Sequence, residues 1–387
     1  MNNSFVHTVE FSKRMKKEEI DILKQKMQWF PEKNGYGELR TWKSVTYIED
    51  GIQITYKACG EMERKRESKF PYRIDIKWNP SRTFRRNAYI NTIKSEQDME
   101  KAIECLDEKI AEIFNDPELR ITGINDLRLN RIDFTIDRRG IPVDIIRQVI
   151  DILWKMSRSR GFEENIKLLE HCRTFDRNSS YNIVNQSQDI EFVVYNKGKA
   201  AIDQKYPDQI QAYYRNTLRV ELRCGRKFIR RHMKKGVSTK KGIRKLYADS
   251  EIFIRGVYSQ LFKYSTHVSF TSLGVMEKIL KKKFGKKIDK SRRYEKMNTL
   301  IHKMARKNAK NLEIELSELL LTESQKRKII EYFGEWNLSP IILDDKIPFL
   351  QSLDSLLGFY YAGETEKGIK QFAERHTYGK EVFYYAE

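Results

Sequence analysis

The chain is poor in the residues that build small metal or disulfide frameworks. Its four cysteines, Cys59, Cys105, Cys172 and Cys224, are scattered, with no C-x-x-C pair. That spacing argues against a zinc finger or a disulfide scaffold and suits reduced thiols. Histidine is equally sparse: His7, His171, His232, His267, His302 and His376 form neither an H-x-H pair nor an H-E-x-x-H helix. No G-x-x-x-x-G-K-[ST] phosphate loop and no G-x-S-x-G elbow occurs. ATP-driven motor activity and serine-hydrolase chemistry are therefore not expected. No stretch reaches the roughly 18 apolar residues that span a bilayer. The opening Met1-Asn2-Asn3-Ser4 lacks the apolar run of a signal peptide. The expectation is a soluble, cytoplasmic protein with no membrane partner.

Positive charge is what the sequence has in excess. Lys+Arg number 74 against 54 Asp+Glu, a formal net charge of +20. A field of that sign attracts polyanions and speeds their capture. Arg226, Lys227, Arg230, Arg231, Lys234 and Lys235 form one cluster, and Lys281 to Lys283, Lys286-Lys287 and Arg292-Arg293 form others. Twenty Tyr and twenty Phe are interspersed, and such rings stack on unpaired bases. Nucleic acid is the expected partner, although charge alone fixes neither fold nor chemistry.

The first half reads as strands separated by helices. Val45 to Ile48 and Ile52 to Tyr56 flank Glu49-Asp50-Gly51, a hairpin signal. Tyr72 to Trp78 (YRIDIKW) alternates apolar and polar and stops at Asn79-Pro80. Met99, Ile103, Leu106 and Ile110 share one face of a helix between about Glu96 and Phe114. Pro142 suits a helix start, with Ile146, Ile150, Leu153 and Met156 as its stripe. Strands follow near Ile190 to Asn196 and Leu218 to Arg223. Residues 234–242 read as a basic, flexible linker, and the periodicity beyond is mainly helical, with a capping box at Thr322 to Gln325. The expected organisation is an α+β domain over 1–235, an antiparallel sheet with helices on one face. A mostly helical, basic domain over 236–387 follows it.

Three strands place an acidic residue opposite their apolar face. Asp75 lies between Arg73 and Lys77, Asp133 between Arg131 and Thr135, and Glu221 between Arg219 and Arg223. On one sheet they would line a shallow carboxylate site, whose hard oxygens favour Mg²⁺ or Mn²⁺. The same alternation also makes Arg–carboxylate pairs on a wet sheet face. On Phe192 to Lys197, Tyr195 has the parity of Glu191, Val193 and Lys197. Such a phenol can attack a phosphate, with Lys197 near enough to steady the charge. A packed strand tyrosine with a wet hydroxyl has the same signature.

The ordered set YRIDIKWNP (Tyr72 to Pro80), LNRIDFTID (Leu129 to Asp137), the helix after Pro142, VVYNKGK around Tyr195, and LRVELRCGRK (Leu218 to Lys227) resembles the replication initiator endonucleases of filamentous phages. More loosely it resembles the rolling-circle initiators of plasmids. The likeness spans roughly residues 70–235. It implies a metal-dependent enzyme that nicks one strand at an origin, stays linked to the 5′ phosphate through tyrosine, leaves a 3′ hydroxyl for polymerase, and later rejoins the strand. It implies Tyr195 as nucleophile with Lys197 beside it, and Tyr181 as the alternative nucleophile. Asp133 and Glu221, with Asp75 as an outlying member, are the implied metal ligands. Arg131, Arg219, Arg223, Arg226 and Lys227 are the expected DNA-binding residues. Asn196 departs from the acidic residue common in such Y-D-K elements. Origin duplex and single strand, a host helicase and a polymerase are the expected partners, with a homodimer left open. A conjugative relaxase of the same chemistry and a non-catalytic DNA- or RNA-binding regulator are the competing readings.

Overall fold

The computed structural model describes residues 4–33, 39–44, 47–59, 70–85, 88–156, 159–165, 179–262, 268–284, 295, 298–299, 302, 322–344 and 346–357. Ten strands form one antiparallel sheet: β1 (Phe5–Met15), β2 (Trp29–Lys33), β3 (Leu39–Ser44), β4 (Ile52–Ala58), β5 (Tyr72–Trp78), β6 (Arg128–Arg139), β7 (Glu163–Glu164), β8 (Ser180–Asn185), β9 (Ile190–Asn196) and β10 (Thr217–Cys224). Their spatial order is β2-β3-β4-β5-β1-β6-β10-β9-β8-β7. The first strand thus inserts at the centre, between β5 and β6. The expected hairpin before Ile52 exists, but its first arm is β3, which pairs Thr41 with Lys57 and Lys43 with Thr55. Tyr47 to Asp50 form the turn, Gly51 supplies the positive φ of 78°, and 45–46 lie outside the described residues.

Alternation decides which side of the sheet is dry. Ile74, Ile76, Trp78, Ile132, Phe134, Val220 and Leu222 have no exposed surface. Each such side chain contributes about 1.5–3 kcal/mol on burial. The principal helices lie over this face. They include α1 (Lys17–Lys26), α3 (Glu96–Ile113) and α4 (Val143–Lys155), with α2 (Pro80–Phe84) at the end of β5. Helix α3 starts where Ser95 accepts a hydrogen bond from the Asp98 amide, and it buries Met99, Ile103, Leu106 and Ile110. Pro142 is the N-cap of α4, and Ile146, Ile150 and Leu153 are buried below it.

Next come α5 (Lys197–Asp203), α6 (Asp208–Tyr214), α7 (Arg226–His232), α8 (Thr239–Ala248) and α9 (Ser250–Leu261). Segment 234–242 is not an open linker. Gly236, at φ 86°, turns the chain, and Ser238 caps α8 through the Lys241 amide. The Thr239 hydroxyl donates to the Leu127 carbonyl, and Lys240 pairs with Asp107. Ile243, Leu246, Phe253, Ile254, Val257 and Tyr258 join the same core as the sheet. The division expected at 235/236 therefore cuts through a packed unit, because α8 and α9 have the apolar stripes that finish its helical layer.

Beyond it, the C-terminal part is not only helical. Strands β11 (Ser269–Ser272), β12 (Leu338–Leu343) and β13 (Phe349–Leu350) make a small mixed sheet in the order β12-β11-β13, beside α10 (Leu273–Phe284), α11 (Glu323–Glu335) and α12 (Leu353–Leu357). Helix α11 begins directly after Thr322, as its capping pattern predicts. The basic pairs at 286–287 and 292–293 lie outside the described residues. Among the described residues, no helix is long and apolar enough to cross a membrane.

Candidate active site

The polar face of β6, β10 and β9 is a checkerboard of charge. Asp137 lies opposite Arg219, Thr135 opposite Glu221 and Asp133 opposite Arg223. On the far side of β10, Arg219 faces Tyr195, Glu221 faces Val193 and Arg223 faces Glu191. Tyr195 and Glu221 are therefore diagonal neighbours, within reach of a long side chain. The Tyr195 hydroxyl donates to Glu221 Oε1 at 2.7 Å.

Each carboxylate also holds a guanidinium. Arg131 forks onto Asp133 at 2.7 and 2.8 Å, and it reaches Glu10 at 3.2 Å. Arg219 forks onto Asp137 at 2.5 and 2.7 Å. Arg223 takes Glu221 Oε2 at 3.1 Å and Glu191 at 3.2 Å. The two readings of the arginines thus divide. Arg219 is 1% exposed and committed to Asp137, so it is an internal ion pair rather than a phosphate contact. Tyr214 of α6 covers it, ring centroid 5.6 Å from the guanidinium carbon. Arg131 and Arg223 keep side-chain exposures of 33% and 26% and remain open to a phosphate.

Helices α5 and α6 partly cover this end of the face, with Lys197, Tyr206 and Tyr214 over Arg219 and its neighbours, and the pKa values follow from that. Burial pushes the Tyr195 phenol well above its usual value, and the Glu221 charge adds to the push. Burial also opposes ionisation of Glu221, but Arg223, Arg219 and the Tyr195 hydroxyl together bring it down to about 2. Asp133 is raised to about 6 by burial, in spite of Arg131. Lys197 is lowered to about 8 by burial and by Arg219. It begins α5, and among the described residues it makes no ion pair. Its ammonium lies 5.0 Å from the Tyr206 ring and 5.2 Å from that of Tyr214.

A pocket of about 390 Å³ opens on these groups, lined by His7, Thr8, Arg82, Arg131, Asp133, Tyr195, Lys197, Tyr206, Glu221 and Arg223 among others. His7 is the pocket-lining side chain that pattern reading passes over. On β1, Val6 pairs with Phe134 and Val9 with Ile132, so three steps on β1 span two on β6. The extra residue is a β-bulge, and it turns His7 into the pocket. Burial and Arg219 hold its ring neutral, with a pKa lowered to about 3. The sequence signal was there: Val6 and Val9 break the period-2 spacing.

Asp75 does not join this group. Ser12 of β1 faces Asp75 on one side and Arg128 on the other, whereas Asp133 faces Thr8. Asp75 instead pairs with Arg73 at 2.9 Å and Lys57 at 3.3 Å. Among the described residues, no three His, Cys, Asp or Glu side chains gather as a metal cluster. The three-carboxylate ligand set thus does not assemble: β1 separates Asp75 from β6, and arginines occupy the other two carboxylates. Tyr181, the alternative nucleophile, sits on the opposite, helix-covered face. It is fully buried, its ring 4.7 Å from that of Trp154 and 6.1 Å from that of Phe262.

A larger groove of about 1360 Å³ adjoins the pocket, sharing Gln53, Lys77 and Arg131 with it. Nine Lys or Arg side chains line it against four acidic ones, with Lys13, Lys43, Lys57, Lys77, Arg128 and Arg226 among the cations. Lys227 lies at the start of α7, where its amide donates to Asp189 and its ammonium to the Gln186 carbonyl.

The Phage CRI family model, which describes the N-terminal part of a replication-associated protein, matches residues 4–244. No curated protein matches the chain. Among solved structures, the chain is similar to a rolling circle replication initiator protein from Geobacillus stearothermophilus. The identity is 10% over 67% of this chain and 85% of that chain, with a TM-score of 0.30.

Proposed function

The chain belongs to the Phage CRI family of replication-associated proteins, and on that premise we propose that it is a rolling-circle replication initiator that nicks and rejoins one strand of origin DNA through Tyr195. The observation that carries this reading is the 2.7 Å hydrogen bond from the Tyr195 hydroxyl to a buried, ionised Glu221. A nucleophile and a base within hydrogen-bond reach are the minimum for covalent phosphoryl transfer.

The step balances through protein groups. As Arg223 turns from Glu221 towards the phosphate, the carboxylate regains basicity, and Tyr195 Oη bonds to phosphorus as its proton passes to Glu221. The bond from phosphorus to the 3′ oxygen breaks, and that oxygen takes a proton from the Lys197 ammonium. The products are a 5′-phosphotyrosyl link and a free 3′ hydroxyl, and rejoining is the reverse. Arg131 and Arg223 exchange part of their carboxylate contact for phosphate oxygens, which match guanidinium geometry. The basic groove beside the pocket holds the strand.

Asp133 and Glu221 would hold Mg²⁺ or Mn²⁺ through hard oxygens, and the ion would offset charge that develops on the phosphate. Host helicase, polymerase and a second copy of the chain are partners that the same reading expects, in the cytoplasm where the DNA is replicated.

One observation favours a non-catalytic DNA-binding module instead: the arginine–carboxylate pairs also serve as plain structural pairs. Incubating the chain with supercoiled origin DNA in Mg²⁺, Mn²⁺ or EDTA decides between them. Open circles and a denaturant-resistant adduct, both lost in Tyr195→Phe with binding retained, support the enzyme. A Tyr195→Phe variant that still nicks rejects the site, and DNA that is bound but never cut favours the binding module.

A further inference from the structure

Two rings are not used by the nicking step: Tyr206, which lines the pocket, and Tyr89, which packs against it. Tyr89, in the loop after α2, is 36% exposed although its ring is large and apolar. It packs against Tyr206 with centroids 5.0 Å apart and planes tilted by 57°. The Arg82 guanidinium stands 5.1 Å from the Tyr89 centroid, and the Lys197 ammonium stands 5.0 Å from that of Tyr206. The Tyr214 hydroxyl donates to the Tyr89 carbonyl at 2.9 Å and ties the loop to α6. Tyr206, Arg82 and Lys197 line the same pocket as Tyr195.

The exposed Tyr89 ring, braced at an angle by Tyr206 and with a cation near each ring, presents one apolar face inside a positive field. Unstacked nucleobases bind to such surfaces, because every base has a π-face and its nucleotide carries a phosphate close by. We propose that Tyr89, braced by Tyr206, is a stacking shelf for one unpaired base next to the phosphate that enters the pocket. The occupant is a nucleotide rather than an apolar peptide because Arg82, Lys197, Arg131 and Arg223 surround the rings and the pocket with positive charge. This inference rests on the DNA reading of the pocket.

The test compares two probes on the full chain, a fluorescein-labelled 12-nucleotide oligothymidylate and an abasic strand of the same length, by fluorescence anisotropy at one salt concentration. Stacking on one shelf is expected to favour the thymine probe by about tenfold or more. Tyr89→Ala should remove most of that preference and leave affinity for the abasic strand unchanged. Tyr89→Phe should keep the preference, and Tyr89→Leu should lose it, since the ring rather than its bulk is what acts. Equal weakening of both probes in Tyr89→Ala, or no weakening, overturns the shelf. Wild-type protein that binds both probes equally overturns the shelf alone. Wild-type protein that binds neither removes the DNA reading and the shelf with it. Unchanged thermal unfolding of Tyr89→Phe and Tyr89→Leu separates lost stacking from lost folding.

Discussion

The Tyr195 hydroxyl donates to Glu221 across two strands, at 2.7 Å, while Arg223 holds the other oxygen of the same carboxylate at 3.1 Å. Glu221 is therefore positioned for one proton and charged before that proton arrives. Glu221→Gln removes the charge but keeps the shape. Loss of a positioned base costs about 10²- to 10⁴-fold in rate, so single-turnover nicking should fall by that order. Binding to uncut DNA should stay. A Glu221→Gln rate within about threefold of wild type, far short of that loss, would exclude Glu221 as the proton acceptor.

Lys197 carries a stability cost at neutral pH. Its pKa falls from 10.5 to about 8, so between those values the unfolded chain binds the proton and the folded chain does not. Stability linked to this group therefore rises as pH climbs from about 8 towards 10.5, and the full cost applies at lower pH. The groups facing it are Arg219, Glu221, Asp137 and the rings of Tyr206 and Tyr214. Lys197→Met should raise the urea midpoint at pH 7, with the advantage shrinking by pH 10, while nicking is lost. A midpoint difference that does not change with pH would contradict the assignment.

Arg219 should behave as a structural residue. Removing one partner of a buried ion pair costs about 3–5 kcal/mol, so Arg219→Leu should unfold at markedly lower denaturant. Asp137→Asn should share the defect. The salt dependence of DNA binding by whatever fraction remains folded should match wild type. A reduced salt slope without a stability loss would return Arg219 to the phosphate contacts.

Lys77 is exposed, lines both the pocket and the groove, and makes no ion pair among the described residues. Lys77→Ala should weaken DNA binding evenly across sequences. It should also reduce the slope of log affinity against log salt by about 0.7–0.9, the value of one phosphate contact. A sequence-selective loss would point to base reading instead.

Much of this site was legible from period-2 alternation alone. Asp133, Glu221 and Tyr195 share a face because strand parity is local, and YRIDIKW, RIDFTID and LRVELRC each state it within seven residues. Parity also separates Tyr181 from Tyr195, since Tyr181 and Ile183 alternate onto the buried side. What parity does not carry is neighbour order. Nothing near Asp75 says that β1, from the very start of the described chain, pairs between it and β6. Nor does local pattern reveal that α5 and α6 partly cover the polar face, which turns Arg219 from a surface cation into a buried one. The unity of residues on both sides of 235 was hidden for the same reason: the sheet that α8 and α9 cover is assembled from distant segments.

The bulge in β1 separates two kinds of information. If His7 is struck out, Val6, Thr8, Val9, Glu10 and Phe11 alternate strictly between core and pocket face. The strand as a scaffold does not need the residue that it brings to the pocket. Replacing that imidazole therefore changes the chemistry of the pocket wall while the alternation that holds the sheet stays as it is.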